Sequence, residues 1–461
     1  MRKGLIQILG ANIILLLVNI LNSFLLPKYV SIETYAIIKT YTLYIGYAGF
    51  LSLGFADGMY LKFGGMDYSN INKQELSDNV TSYIFFEFIV SGIFLVISLL
   101  THNYLVTAFS IGSFCINIIG YYKNLYQAVG EYSSYSKTVN YQPLLCFLFN
   151  ILLIFAVKTN DPSMYVSAQV MSSVLVAIYL SLAIHLRKKV FRSGKISLLE
   201  IKDNIFNGFS LMLGNFSSSL FTSIDRWFVK LLLTNNDFAY YSFAVSIENI
   251  VSVFVSPITV SLYNIFCKGI SEKRIMFIKR CTLVWGFIVI SAAFPIRLVI
   301  EMYLPKYNDS VLIIEPLLLT QVFYSVIKGI HVNLLKAEKR QNSYFRQTLI
   351  MSGIAFGLNS VFFIILPTAF SFAIATFFTA LIWFVYSELK RKNFVFSLTE
   401  YLLTCLLICF HLFLFYYVKP AIAFLLYVCS VGILLKTFMG DIYSWLLDQT
   451  SMMLKSFFPN H

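Results

Sequence analysis

Long apolar runs separated by short polar turns follow one another along the whole chain. They lie near residues 5–26, 37–57, 80–100, 104–122, 140–157, 164–186, 205–232, 239–266, 280–300, 311–334, 346–366, 370–389, 401–418 and 420–437. Each is close to the ~20 residues that carry a helix across a bilayer. The pattern predicts an all-α polytopic membrane protein with 12 to 14 transmembrane helices, the last two of the fourteen runs being short. The mid-run Pro257 predicts a kink in the eighth span. Past the last run, a tail with Trp445, Leu446, Met452 and Phe457 predicts an interfacial helix.

Polar positions inside the runs carry a second pattern. In NFSSSLFTSIDRWFVK, residues 215–230, Asn215, Ser218, Thr222 and Arg226 recur at helical spacing and are expected on one helix face, with Ser219 and Asp225 on its shoulder. Asn12, Asn19, Asn22 and Ser23 occupy the same relative offsets as Asn215, Thr222, Asp225 and Arg226. The chain is therefore expected to repeat. A six-span lobe (1–190) is followed by a basic cytoplasmic linker (191–204), a second six-span lobe (205–390), and a terminal helix pair with its tail (391–461). An even number of spans gives both lobes the same orientation, related by a pseudo-two-fold axis along the membrane normal, with a substrate site between them near mid-depth.

Composition agrees: 58% of residues are apolar and 12% charged, and the mean hydropathy is +0.75. A soluble globule carries about 25% charged residues, so that class is excluded. The net charge of +13 invites a nucleic-acid partner, but its distribution argues against one. With the N-terminus in the cytoplasm, 26 of the 35 Lys and Arg fall on the cytoplasmic side. That asymmetry is the positive-inside rule, and it sets the expected topology. The first run lacks a small-residue cleavage site, which favours an uncleaved first span over a signal peptide. The seven cysteines lie mostly within runs and form neither a disulfide framework nor a metal spacing. No outside loop exceeds about a dozen residues, and no GxxxxGK[ST] occurs, so neither a cofactor nor ATP hydrolysis by the chain is expected.

Three stretches carry a family likeness. LLPKYVSIETYAIIKTY, LGFADGMYLKFGG and SIDRWFVKLLLTNNDFAYYSFA resemble the polysaccharide-transporter branch of the multidrug/oligosaccharidyl-lipid/polysaccharide exporter superfamily, the O-antigen and capsular repeat-unit flippases. The resemblance implies two six-helix bundles around a cavity plus a terminal helix pair, in a bacterial inner membrane. It implies a flippase whose cargo is an undecaprenyl-diphosphate oligosaccharide, carried from the cytoplasmic to the periplasmic leaflet. Membrane lipids and the polymerase and chain-length proteins of lipopolysaccharide or capsule assembly are the implied partners.

Such a cargo needs a cation, hydroxyls or amides, and a lateral opening, because a diphosphate and its glycan cannot enter hydrocarbon. Arg226 is the leading candidate: a guanidinium grips phosphate in bidentate fashion and does not lose its proton. Pairing with Glu248 or shielding by Asp225 is its structural alternative. Lys39 and Lys328 are further cations that stand near span ends, where snorkelling is the alternative. Asn12, Asn19, Asn215, Thr222 and Tyr44 are candidate sugar contacts, with interhelical bonding or packing as the alternative. Glu87, Asp225 and Glu248, with Asp57 nearer the headgroups, are candidates for ion coupling or for simple charge neutralisation.

Two rival functions remain. A multidrug/cation antiporter of the same superfamily would want an anionic cavity, but Lys39, Arg226 and Lys328 balance Glu87, Asp225 and Glu248 within the spans. A membrane O-antigen polymerase or glycosyltransferase would want a sizeable outside loop or clustered histidines. The five histidines are scattered, and an enzyme is not expected.

Overall fold

The computed structural model describes residues 2–66, 68, 71–188, 194–255, 262–263 and 265–445, without the side chains of 2–12, 184–188, 341 and 392. All elements among the described residues are helical, and no strand occurs there. Among the described residues, ten helices are long and apolar enough to span a bilayer by length and composition. The other four of the fourteen apolar runs are the first two of each expected lobe.

The first run forms α1 (Arg2–Tyr29), apolar over Ile13–Tyr29 where its side chains are described. The second run is broken into α2 (Ile32–Ile45), a 3₁₀ turn (Ala48–Ser52) and α3 (Phe55–Phe63). The seventh, expected to be one continuous helix, is α8 (Leu198–Phe221) and α9 (Ile224–Leu232), interrupted at Thr222 and Ser223. Local polar groups explain the interruption. The Asp225 carboxylate accepts the Arg226 backbone N–H at 2.7 Å, and the Arg226 guanidinium donates to the Thr222 carbonyl at 3.4 Å. Side chains that bond nearby backbone compete with the helical ladder. The eighth run gives α10 (Asn235–Ser252), opened by a Thr234/Asp237 capping box. Such a cap stabilises a helix by about 1 kcal/mol. Pro257 and its expected kink lie outside the described residues, as does the tail beyond Trp445.

The chain divides into two compact units, Met1–Leu220 and Phe221–His461. The division therefore falls inside the seventh apolar run, and α8 goes with the first unit, whereas the sequence pattern suggested a boundary in the basic stretch at 191–204.

In the first unit, α5 (Tyr104–Ala128) is central, packing on α4 (Lys73–Thr101), α6 (Tyr132–Leu152), α7 (Pro162–Lys188), α2 and α3, while α1 lies along α6. Lipid is as apolar as leucine, so close packing and internal hydrogen bonds hold such helices together. Phe55, Met59 and Phe63 of α3 meet Tyr83, Tyr121, Tyr122 and Leu125 in a fully buried cluster. The Tyr83 and Tyr121 rings stack at 4.7 Å. At one end, the Tyr121 hydroxyl donates to Asn79 Oδ1 at 2.7 Å, and Asn79 Nδ2 donates to Glu200 Oε2 at 2.8 Å. Lys62 Nζ completes the clasp, 2.8 Å from both Glu200 and Glu75. Beside it, α3 and α8 pass backbone to backbone. A Cβ on Gly58 would sit 2.0 Å from the Asn204 carbonyl oxygen, and one on Gly208 would sit 2.0 Å from that of Gly54.

The second unit is built around α13 (Asp309–Val326), which packs on α10, on α11 (Glu272–Ile290) and on α16 (Ala369–Leu389). A π-helical turn (Ile327–Val332) and the short α14 (Asn333–Ala337) continue it. α15 (Gln341–Ile365) covers α16 and α9. The terminal pair, α17 (Leu398–Tyr417) and α18 (Pro420–Phe438), packs through α18 on α11 and α12 (Ala293–Tyr303). His411 of α17 is fully buried, with Nδ1 2.8 Å from Glu315 Oε1 and Nε2 3.2 Å from the Ile290 carbonyl oxygen.

Candidate functional site

The short α9 places Asp225 and Arg226 side by side with opposite roles. Asp225 is buried and saturated. Besides the Arg226 N–H, its carboxylate accepts the Tyr241 hydroxyl at 2.6 Å and the Thr376 hydroxyl at 3.4 Å, which ties α9 to α10 and α16. Arg226 is only half-buried, and its Nε has no hydrogen-bond partner. Its guanidinium keeps donors to spare.

Lys328 stands on the π-helical turn. From Ile313 to Leu335 every residue is buried except Lys328. A helix that faced lipid would expose a stripe at three- and four-residue spacing. Lys328 is instead a single exposed position in an otherwise enclosed helix. The π turn, an insertion frequent at functional sites, carries this residue. Lys328 Nζ lies 4.6 Å above the Tyr324 ring and makes no ion pair within 4.0 Å among the described residues.

Glu248 of α10 belongs to the same cluster. Gln321 Nε2 donates to its Oε1 at 3.0 Å, and the charges acting on it are those of Asp225, Lys328 and Arg226. Among the described residues, neither cation is ion-paired with either acid, so the structural alternative for Arg226, pairing with Glu248, does not occur. An aromatic wall adjoins them: Tyr324 lies 6.5 Å from Trp383, which meets Phe221 edge-on at 4.9 Å. The Trp383 indole N–H is buried without a partner.

The remaining candidates lie in the first unit. Glu87 is fully buried. Its Oε2 accepts from Asn117 Nδ2 at 2.8 Å, and its Oε1 has no partner. Asp57 meets Asn215, whose Nδ2 is 3.4 Å from its Oδ1. Asn215 therefore serves the first unit and does not share a helix face with Arg226, a consequence of the break at Thr222, which is exposed. Lys39 lies 5.3 Å over the Tyr35 ring. Tyr44 is half-buried and Asn19 exposed, while the Asn12 side chain is outside those described. Asn22, of the same row, accepts from Asn150 Nδ2 at 3.0 Å, an interhelical bond between α1 and α6.

Sequence reasoning missed Gln321, Tyr324, Tyr241, Thr376 and Trp383. For two of them a signal existed, because Gln321, Tyr324 and Lys328 lie at i, i+3 and i+7. Tyr241 and Thr376 are legible only through the contacts they make with Asp225, since nothing local marks them.

Residues 71–269 match a family model described as "Polysaccharide biosynthesis protein". Comparison with curated proteins finds no match. Among solved structures, the chain is similar to the lipid II flippase MurJ in an inward closed conformation. The TM-score is 0.68 at 14% identity, over 97% of this chain and 100% of that one. It is also similar to an inward-facing multidrug resistance MATE family transporter of the MOP superfamily, with a TM-score of 0.59 at 12% identity, over 82% of this chain and 94% of that one. At such identities the likeness is one of fold. The chain is an all-helical, multi-pass membrane protein with a MurJ/MATE-like fold, and residues 71–269 match the polysaccharide-biosynthesis family model.

Proposed function

We propose that the chain is a flippase that moves undecaprenyl-diphosphate-linked oligosaccharide repeat units, of O-antigen or capsule, from the cytoplasmic to the periplasmic leaflet of a bacterial inner membrane by alternating access, without covalent chemistry. The observation that carries this reading is the unequal occupation of the charged cluster in the second unit. Both carboxylates are held by hydrogen bonds within the protein, Asp225 by Tyr241 and Thr376 and Glu248 by Gln321. Both cations keep capacity: Arg226 has an unpartnered Nε, and Lys328 is the one exposed side chain of an enclosed helix. A site arranged in this way favours an anionic guest, and a diphosphate fits it.

The same inequality weighs against a multidrug/cation antiporter, which would keep its acids free for a cationic drug. Tyr324 and the Trp383 indole N–H supply a ring face and a donor of the kind that sugars use. The polyprenyl tail stays in lipid while the head group passes the cations.

The test is lipid extraction from a strain lacking the protein. The expected result is accumulation of undecaprenyl-linked repeat units that resist added periplasmic glycosidase in intact spheroplasts. Unchanged lipid-linked glycan together with a raised intracellular level of cationic dyes would favour the antiporter and remove this reading.

A further inference from the structure

A polar hollow lies beside the π-helical turn, at His331. It is a cavity of about 110 Å³ in the second unit, where α14, α15 and α16 converge. By this measure a single water needs about 10–15 Å³, so several waters or one tetrahedral anion fit. Four of its lining residues are basic and none is acidic: Arg340, Arg346, Lys390 and Arg391. Two further lining side chains are almost fully buried, His331 at 3% and Ser387 at 2% exposure.

The hydrogen-bond inventory of these two is incomplete. His331 Nε2 lies 2.8 Å from Glu388 Oε1, but its Nδ1 is buried without a partner, and so is Ser387 Oγ. Glu388 is fully engaged elsewhere, with Lys279 Nζ at 2.6 Å and the Tyr401 hydroxyl at 3.0 Å. A buried polar atom left unsatisfied is costly unless something occupies the space it faces. The surrounding charges point to what that occupant is. Arg391 is held by Glu338 in bidentate geometry, at 2.5 and 2.8 Å, and Arg340 lies 3.8 Å from the same carboxylate. Arg346 and Lys390 make no ion pair within 4.0 Å among the described residues. Two unpaired cations over two unpartnered buried polar atoms form a built receptor for a compact oxyanion.

We propose that this cavity binds a phosphate group, supplied by an anionic phospholipid head or by a soluble phosphate, with Arg346 and Lys390 as its cations and His331 and Ser387 at its floor. The site is separate from the Arg226/Lys328 cluster and stands whether or not that cluster handles a diphosphate. Its location at the ends of spans, in loops that the positive-inside rule assigns to the cytoplasm, sets it at headgroup level.

The experiment uses the full-length protein in phosphatidylcholine nanodiscs with two probes. Phosphatidylglycerol retention is read by native mass spectrometry, and radiolabelled inorganic phosphate binding by equilibrium dialysis. The wild type is expected to bind at least one probe at one site per chain, and whichever it binds identifies the source. The R346Q/K390Q pair, both exposed and neither a member of the buried Lys279–Glu388 ion pair, is expected to weaken that binding about tenfold or more, and S387A about threefold. K273Q/R274Q, which removes two exposed cations from the first turn of α11, is expected to leave binding within twofold. Binding of neither probe by the wild type, binding by R346Q/K390Q equal to wild type, or an equal loss in K273Q/R274Q would each overturn the proposal.

Discussion

Arg226 and Asp225 are neighbours in sequence, yet the fold treats them in opposite ways. The carboxylate is consumed in fixing three helices to one another, while the guanidinium is left half-exposed with a donor unspent. Arg226→Ala is therefore expected to spare folding and remove one charge-assisted contact to the cargo, worth about 1.5–3 kcal/mol, or roughly ten- to a hundredfold in apparent affinity. Arg226→Lys keeps the charge but loses the fork, so partial rescue is expected. The readout is lipid-linked repeat-unit accumulation and surface glycan at matched protein levels. Normal surface glycan in the alanine strain would take Arg226 out of the mechanism. Asp225→Asn should behave differently, lowering thermal stability, because a buried hub of several hydrogen bonds is weakened.

At the scale of elements, the clasp between α3, α4 and α8 is the feature whose energetics respond to pH. Burial pushes the Glu200 carboxyl up, but its bonds to Lys62, Asn79 and Asn204 outweigh that and hold it below its usual 4.5. Burial pulls the Lys62 ammonium down, and its bonds to Glu200 and Glu75 lift it above its usual 10.5. A depressed acid contributes stability that is full above its unfolded value and disappears as pH falls through the folded one. A raised base contributes stability that is full below its unfolded value and disappears as pH rises through the folded one. The melting-temperature advantage of wild type over Glu200→Gln should therefore be flat between about pH 5 and 10, and shrink below and above that window. A constant difference from pH 3 upward would show that Glu200 acts by shape alone. The glycines beside the clasp make a sharper test. Gly58→Ala places a methyl 2.0 Å from the Asn204 carbonyl oxygen and forces α3 off α8, costing at least the ~1–3 kcal/mol of an overpacked contact. Gly353→Ala, where nothing lies within 4 Å, should leave the melting temperature unchanged or slightly raised.

Those same elements show what a reader of the sequence can and cannot see. The ten helices long and apolar enough to span among the described residues are legible because twenty apolar residues in a row have one stable outcome in a bilayer. The break after Phe221 is not legible from hydropathy, because it arises from local bonds of Asp225 and Arg226 that compete with a helix whose composition still favours it. Lys328 was legible as a charge in a span, but its role as the lone exposed residue of an enclosed helix depends on neighbours from α10, α11 and α16. The histidines look scattered along the chain. His331 and His411 are nonetheless each paired with a buried glutamate, Glu388 and Glu315, across separations of 57 and 96 residues. No local pattern encodes pairs that distant.

For the molecule as a whole, the proposed function raises the question of what would drive an anionic head group outward. A diphosphate leaving a negatively charged interior gains ~2.3 kcal/mol per charge per 100 mV, so the potential alone favours export. The acids bear on whether anything more is required. Glu248 is bonded to Gln321 and lies among the cationic pair, an arrangement that neutralises charge within the cluster whether or not a proton or sodium ion ever visits it. If neutralisation is its role, Glu248→Gln should lower the flipping rate without changing how that rate depends on voltage. In proteoliposomes loaded with a fluorescent diphosphate-linked oligosaccharide lipid, a potassium–valinomycin potential should speed movement away from the negative side in wild type and in Glu248→Gln by the same factor. An equal rate at zero and at imposed potential in wild type, but dependence on a proton or sodium gradient, would make the acid a coupling group and the potential a bystander. The two outcomes separate because a fixed neutralising charge alters the height of the barrier, whereas a coupling ion alters the net charge that crosses the membrane.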